Sequence, residues 1–107
     1  MDLKKKILVV EDSPFQRTIC VSQLQQAGFG NIEVAGDGNI AYSKLEEGEI
    51  DLVLCDWEMP NLNGIQLLKK VKKNPALQSI PFVMLTSLED ESRQQEALNE
   101  GALDYIV

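Results

Sequence analysis

Apolar and polar positions along this chain follow two rhythms in turn. Ile7 to Val10 is a short, β-branched apolar run, the signature of a strand buried on both faces. Ser13-Pro14-Phe15-Gln16 then reads as a helix start. Ser can cap, Pro suits the first helical position, and Gln three residues after Ser completes a capping box. Ile19, Cys20, Leu24 and Ala27 recur at helical spacing, and Gly28 can end that helix. Ile32 to Ala35 makes a second strand, Asp37-Gly38 a turn, and Ile40, Ala41 and Leu45 the apolar side of a second helix ending near Gly48.

The same sequence of events repeats. Leu52 to Cys55 is a third apolar run. Asn63 can cap a third helix with Ile65, Leu68 and Val71 on one side and Asn74-Pro75 beyond it. Ile80 to Leu85 is a fourth strand, in which Pro81 is tolerable near the start. Glu89 and Asp90 suit the first turn of a fourth helix, with Ala97 and Leu98 inward and Gly101 at its end. Tyr105 to Val107 begins a fifth strand. Strand and helix alternate four times, which predicts one α/β domain over residues 1–107 with a parallel sheet and helices on both faces.

In an open parallel sheet, ligands bind beyond the carboxyl ends of the strands. The residues found there are notable for their chemistry. Glu11 and Asp12 follow the first strand, Asp56 and Glu58 the third, and Thr86 and Ser87 the fourth. If the first and third strands are neighbours, three carboxylates meet at one edge with two hydroxyls beside them. Taken singly, each has a plain structural role. Glu11-Asp12 complements a helix dipole, Asp56 caps a turn, and Thr86-Ser87 caps the next helix. Trp57 reads as an exposed or half-buried loop residue, and Lys69, Lys70, Lys72 and Lys73 as a solvated helix face. The functional reading rests on their falling together at the same kind of strand end.

Charge sharpens that picture. Ten Lys and Arg against seventeen Asp and Glu leave a formal charge of −7, which argues against a nucleic-acid surface. Clustered carboxylates repel, so one pKa should rise unless a cation neutralises them. Oxygen donors without His or Cys favour Mg²⁺ over zinc, and Mg²⁺ takes phosphate readily as a co-ligand. A carboxylate can itself be a nucleophile and form an aspartyl-phosphate. The set therefore suits Mg²⁺-assisted phosphoryl transfer onto an Asp. Cys20 and Cys55 fit neither a disulfide framework nor a zinc site and read as free buried thiols of a cytoplasmic protein. No stretch is long and apolar enough to span a membrane.

The stretches ILVVEDSPFQR, DLVLCDWEMPNLNG, PFVMLTS and GALDYIV, in that order, resemble the receiver domain of two-component response regulators, the chemotaxis regulators in particular. The resemblance covers the whole chain. It implies a flavodoxin-like sheet of order 2-1-3-4-5, Mg²⁺ as cofactor, and a sensor histidine kinase or phosphotransfer protein as partner. It implies that Asp56 accepts the phosphoryl group from a phosphohistidine. Asp12 and Asp56 would ligate Mg²⁺ directly, with the backbone carbonyl of Glu58, and Glu11 through a bound water. Thr86 would close on the phosphoryl group and Tyr105 would turn inward with it, switching the surface of the fourth helix and fifth strand. Pro60 and Gly64 would shape the loop after Asp56, while Glu58 and Leu88 would tune the phosphoryl lifetime.

The chain departs from the family at its end. Receivers carry a Lys-Pro just after the fifth strand and then a fifth helix, whereas this sequence stops at Val107. The expectation is a domain truncated before that Lys and lacking the fifth helix, prone to self-association, and slow to be phosphorylated. Two rivals remain at this stage. A dehalogenase-like phosphatase also uses an Asp nucleophile with a second acid two residues on, as Glu58 is, but needs a cap that so short a chain lacks. A receiver-like interaction module that is never phosphorylated is the other. Acids rather than a hydroxyl-rich loop after the first strand argue against a flavin site. The expectation is a signalling module, not a turnover enzyme.

Overall fold

The computed structural model describes residues 2–86 and 90–107. Five strands, β1 (Ile7–Val10), β2 (Ile32–Ala35), β3 (Leu52–Asp56), β4 (Phe82–Leu85) and β5 (Asp104–Ile106), form one sheet of order β2-β1-β3-β4-β5. Every neighbouring pair is parallel. Four helices connect them: α1 (Pro14–Gln26), α2 (Gly38–Glu47), α3 (Gly64–Lys72) and α4 (Glu91–Asn99). This is the doubly wound, flavodoxin-like arrangement, with its switch point between β1 and β3.

The alternation of side chains along each strand divides the core in two. Leu8, Val10, Val53, Cys55, Phe82 and Met84 face one side, where Ala41 and Leu45 of α2, four residues of α3 and Ala97 of α4 cover them. Ile7, Val9, Leu52 and Val83 face the other side, against Cys20, Val21 and Leu24 of α1. The second layer is thinner. No residue of α1 is fully buried, and Ile19 and Ala27, expected inside, are exposed. The helical period there is correct, and among the described residues one helix covers this face.

Local signals set most element ends. Asp37 does more than turn the chain: its carboxylate caps α2 by accepting from the Ile40 N–H at 2.8 Å. Asn63 and Gln66 form a complete capping box on α3. The box expected at Ser13 is only half made. Ser13 accepts from Gln16 N–H at 3.3 Å, but its own N–H donates to Glu11 Oε1 at 3.1 Å. β4 begins at Phe82 rather than Ile80, and β5 runs one residue earlier than expected. Ile40 and Leu98, expected on inner faces, are exposed, because Ala41, Leu45 and Ala97 take those positions. Glu89 lies outside the described residues; Asp90 caps α4, accepting from the N–H groups of Ser92 and Arg93.

Candidate functional site

Register places the acids. Val10 lies beside Cys55 across β1 and β3, so Glu11 and Asp56 emerge side by side from the carboxyl edge. Asp56 in turn lies beside Leu85 of β4, and Thr86 follows at the next position. Neighbouring parallel strands lie about 4.8 Å apart, so Asp56 sits between the ends of β1 and β4, one strand spacing from each. Carboxylate oxygens of Glu11, Asp12 and Asp56 all fall within 4.8 Å of one another. The acid cluster expected from the sequence is thus brought together. Asp12 is exposed, whereas Glu11 and Asp56 are half-buried.

Burial governs their protonation. Glu11 is pushed up from 4.5 to about 7, first by desolvation and then by the neighbouring Asp56 charge, against the pull of the Ser13 N–H. Asp56 is also raised, chiefly by desolvation and with Asp12 adding to it, while Glu11 and the N–H groups of Glu58 and Trp57 hold it back. Burial is the larger cause and the neighbouring charges add to it: half-buried carboxylates this close cannot all ionise without a compensating cation. The protonated Glu11 carboxyl donates to Asp56, so the pair shares a proton that a cation would replace. Three hard oxygen donors, with no His or Cys among them, suit Mg²⁺. Cys55 is buried beside the cluster and its thiol is pushed well above its ordinary value by desolvation, so it stays a thiol.

The loop between β3 and α3 is held tightly. The Gly64 N–H donates to Trp57 O at 2.9 Å, and a Cβ on Gly64 would lie 2.9 Å from Trp57 Cα and closer still to Asp56 O. Only glycine permits this approach. Asn61 has φ 68°, a left-handed turn that Asn tolerates. The Glu58 side chain pairs with Arg93 of α4, which leaves its backbone carbonyl as the group expected to face a cation.

Thr86 is 8% exposed, and its N–H donates to Ile106 O at 3.0 Å. It lines a cavity of about 460 Å³ with Glu11, Asp56, Leu85 and the α1 residues Gln16, Ile19, Cys20 and Gln23. Tyr105 is buried. Trp57, read from sequence as an exposed or half-buried loop residue, is 5% exposed and packs edge-on to Tyr105, with centroids 6.4 Å apart and planes at 75°. The alternation that buries Val53 and Cys55 on one sheet face continues to Trp57, whose N–H still donates to Leu85 O of β4 at 3.2 Å. Arg93, which lies 5.0 Å over the Trp57 ring, was not singled out from the sequence, since nothing in the helical pattern signals a partner 36 positions away. Ser87 and Leu88 lie outside the described residues.

The comparisons with known proteins decide the family. The model for the response regulator receiver domain matches residues 7–107. This chain belongs to the response regulator receiver domains. It is 37% identical over 102 residues to the chemotaxis protein CheY-3 of Vibrio cholerae, covering 95% of this chain and 78% of that protein. The solved structure of Vibrio cholerae CheY4 superposes with a TM-score of 0.88 at 31% identity, over 97% of this chain and 86% of that one. The response regulator TrrA of Thermotoga maritima, solved in complex with Mg²⁺-BeF, matches with a TM-score of 0.85 at 30% identity, over 96% of this chain and 85% of that one. The receiver fold and sheet order expected from the sequence are therefore borne out. A receiver is the phosphoryl-accepting module of two-component signalling. Among its described residues, no helix is long and apolar enough to cross a membrane.

Proposed function

We propose that this receiver accepts a phosphoryl group on Asp56 from a phosphohistidine of a sensor histidine kinase or phosphotransfer protein, in the cytoplasm. The observation that carries the assignment is the convergence of Glu11, Asp12 and Asp56 within 4.8 Å at the carboxyl edge of the sheet. In the step itself an Asp56 carboxylate oxygen attacks phosphorus, the phosphorus–nitrogen bond breaks, and imidazole leaves with the bonding pair. The product is an acyl phosphate on Asp56.

Asp12, Asp56 and the Glu58 carbonyl would hold Mg²⁺, with Glu11 acting through a bound water. The ion supplies charge neutralisation at the phosphoryl oxygens. The chain's own residues do the rest. β3 is buried, so it holds Asp56 rigidly at the edge, and Gly64 lets α3 start directly against it. Thr86 follows the end of the neighbouring strand and would hydrogen-bond the phosphoryl group. Phosphorylation adds about −1.5 to −2 of charge. Thr86 moving towards that charge alters the room left to the buried Tyr105 ring and hence the α4–β5 surface. We read the domain as a signalling module rather than a turnover enzyme.

Intact-mass measurement after incubation with Mg²⁺ and acetyl phosphate tests the reading. A single phosphoryl adduct that is absent in Asp56→Asn and with chelator is expected. No adduct in the unsubstituted protein, or one that survives in Asp56→Asn, overturns it.

A further inference from the structure

The α4 helix touches the loop after Asp56 through a side chain for which phosphotransfer itself provides no role. The Arg93 guanidinium pairs with the Glu58 carboxylate and lies 5.0 Å over the Trp57 ring. Trp57 stands directly next to Asp56 and meets Tyr105 edge-on at 6.4 Å. Arg93 is anchored at its backbone too, since its N–H donates to the α4 cap Asp90 at 3.2 Å. Its side chain is only 28% exposed, against 64% for Glu58. A guanidinium pressed on a buried indole is held in place by the ring quadrupole and is partly dry, so it grips its partner better than a free surface pair does.

Glu58 stands two residues beyond Asp56, yet its carboxylate is not among the acids that converge at the strand edge. Arg93 accounts for where it goes. We propose that Arg93 is a positioning residue that clasps the Glu58 carboxylate away from the acid cluster and thereby weakens the cluster's hold on a divalent cation. Released from Arg93, the Glu58 carboxylate would add its negative charge beside the carbonyl that faces the cation, so the clasp and the cation compete for that charge. By linkage, a cation in the cluster loosens the Arg93–Glu58 pair by the factor through which that pair weakens the cation. Loosening frees the first turn of α4 and uncovers one face of Trp57, next to the Tyr105 ring. This gives α4 a direct report of the charge at Asp56, through Glu58, in addition to any signal through Thr86. The inference rests on reading Glu11, Asp12 and Asp56 as the divalent-cation site.

Calorimetric titration with Mg²⁺ alone tests it in four proteins: unsubstituted, Arg93→Ala, Glu58→Gln and the double variant. Arg93→Ala is expected to bind Mg²⁺ about two- to fivefold more tightly, the range that one partly exposed ion pair can supply. A merely structural loss would weaken binding instead. The gain is expected to vanish when Arg93→Ala is made in the Glu58→Gln background, because there is no carboxylate left to release. An equal gain in both backgrounds means that Arg93 acts by simple charge repulsion and overturns the clasp, as does an unchanged or weaker Kd in Arg93→Ala. Arg93→Gln keeps the side-chain stem over Trp57 and gives the same comparison if Arg93→Ala folds poorly. No Mg²⁺ binding by the unsubstituted protein would overturn the cation site and the clasp together, whereas binding without coupling removes the clasp alone.

Discussion

Glu11 shows how one residue ties stability to acidity. In the folded protein it keeps its proton up to about pH 7, whereas the unfolded chain releases it near 4.5. Between those values the folded state binds more protons, so stability falls as pH rises. Its contribution is full below about 4.5 and is lost as pH passes through about 7. Asp56 is raised as well and acts in the same direction. The metal-free protein is therefore expected to lose thermal stability as pH rises from about 4.5 to about 7, and Glu11→Gln to flatten that trend in melting experiments. Because the cation must displace the shared proton, Mg²⁺ affinity is expected to drop on acidification below about 7, read by calorimetry across that range. Glu11, Asp12 and Asp56 were legible in the sequence, since each follows an apolar run. The pairing of Glu58 with Arg93 was not, because it joins side chains 35 positions apart.

At the scale of elements, the loop from Asp56 to Gly64 joins the site to the α3 side of the core. Gly64→Ala would drive a methyl group into the backbone of Asp56 and Trp57 and into Met84 Sδ. The expected result is both a loss of stability and a slower rate of phosphoryl adduct formation, since the strand end that carries Asp56 must move. Asn63→Ala removes the capping box of α3 without touching that backbone, and is expected to cost about 1 kcal/mol in denaturant unfolding with adduct formation retained. The contrast between the two separates helix stability from site geometry. Caps and glycines of this kind were readable from sequence. Which helical residues face inward was less so: Ile40, Leu98 and Ile19 fit the period but stand at its exposed margin, where smaller or neighbouring residues make the contact.

For the whole molecule, the sheet links the core to the site. Phe82 is fully buried in the larger cluster, and its strand leads directly into Thr86. Phe82→Ala is expected to cost about 3–5 kcal/mol in equilibrium unfolding, a large share of the roughly 5–15 kcal/mol available to a domain of this size. Mg²⁺ at 100 times its Kd is expected to return about 2.7 kcal/mol to the unsubstituted protein, and much less to Asp56→Asn, in parallel melts. The two layers differ in depth: three helices cover one face, while among the described residues α1 alone covers the other.

Local physics in the sequence determined the elements and their order. Buried runs must be strands, capped amphipathic runs must be helices, and their alternation demands a parallel sheet with acids at one edge. What the tertiary structure decided is everything set by contacts between distant elements. Register across β1, β3 and β4 brought Glu11, Asp56 and Thr86 to one place. Burial there raised the pKa values, packing on the larger core face buried Trp57, and the docking of α4 gave the Glu58 side chain a cationic partner in Arg93. Periodicity is a property of near neighbours along the chain. Register, burial and charge pairing belong to near neighbours in space.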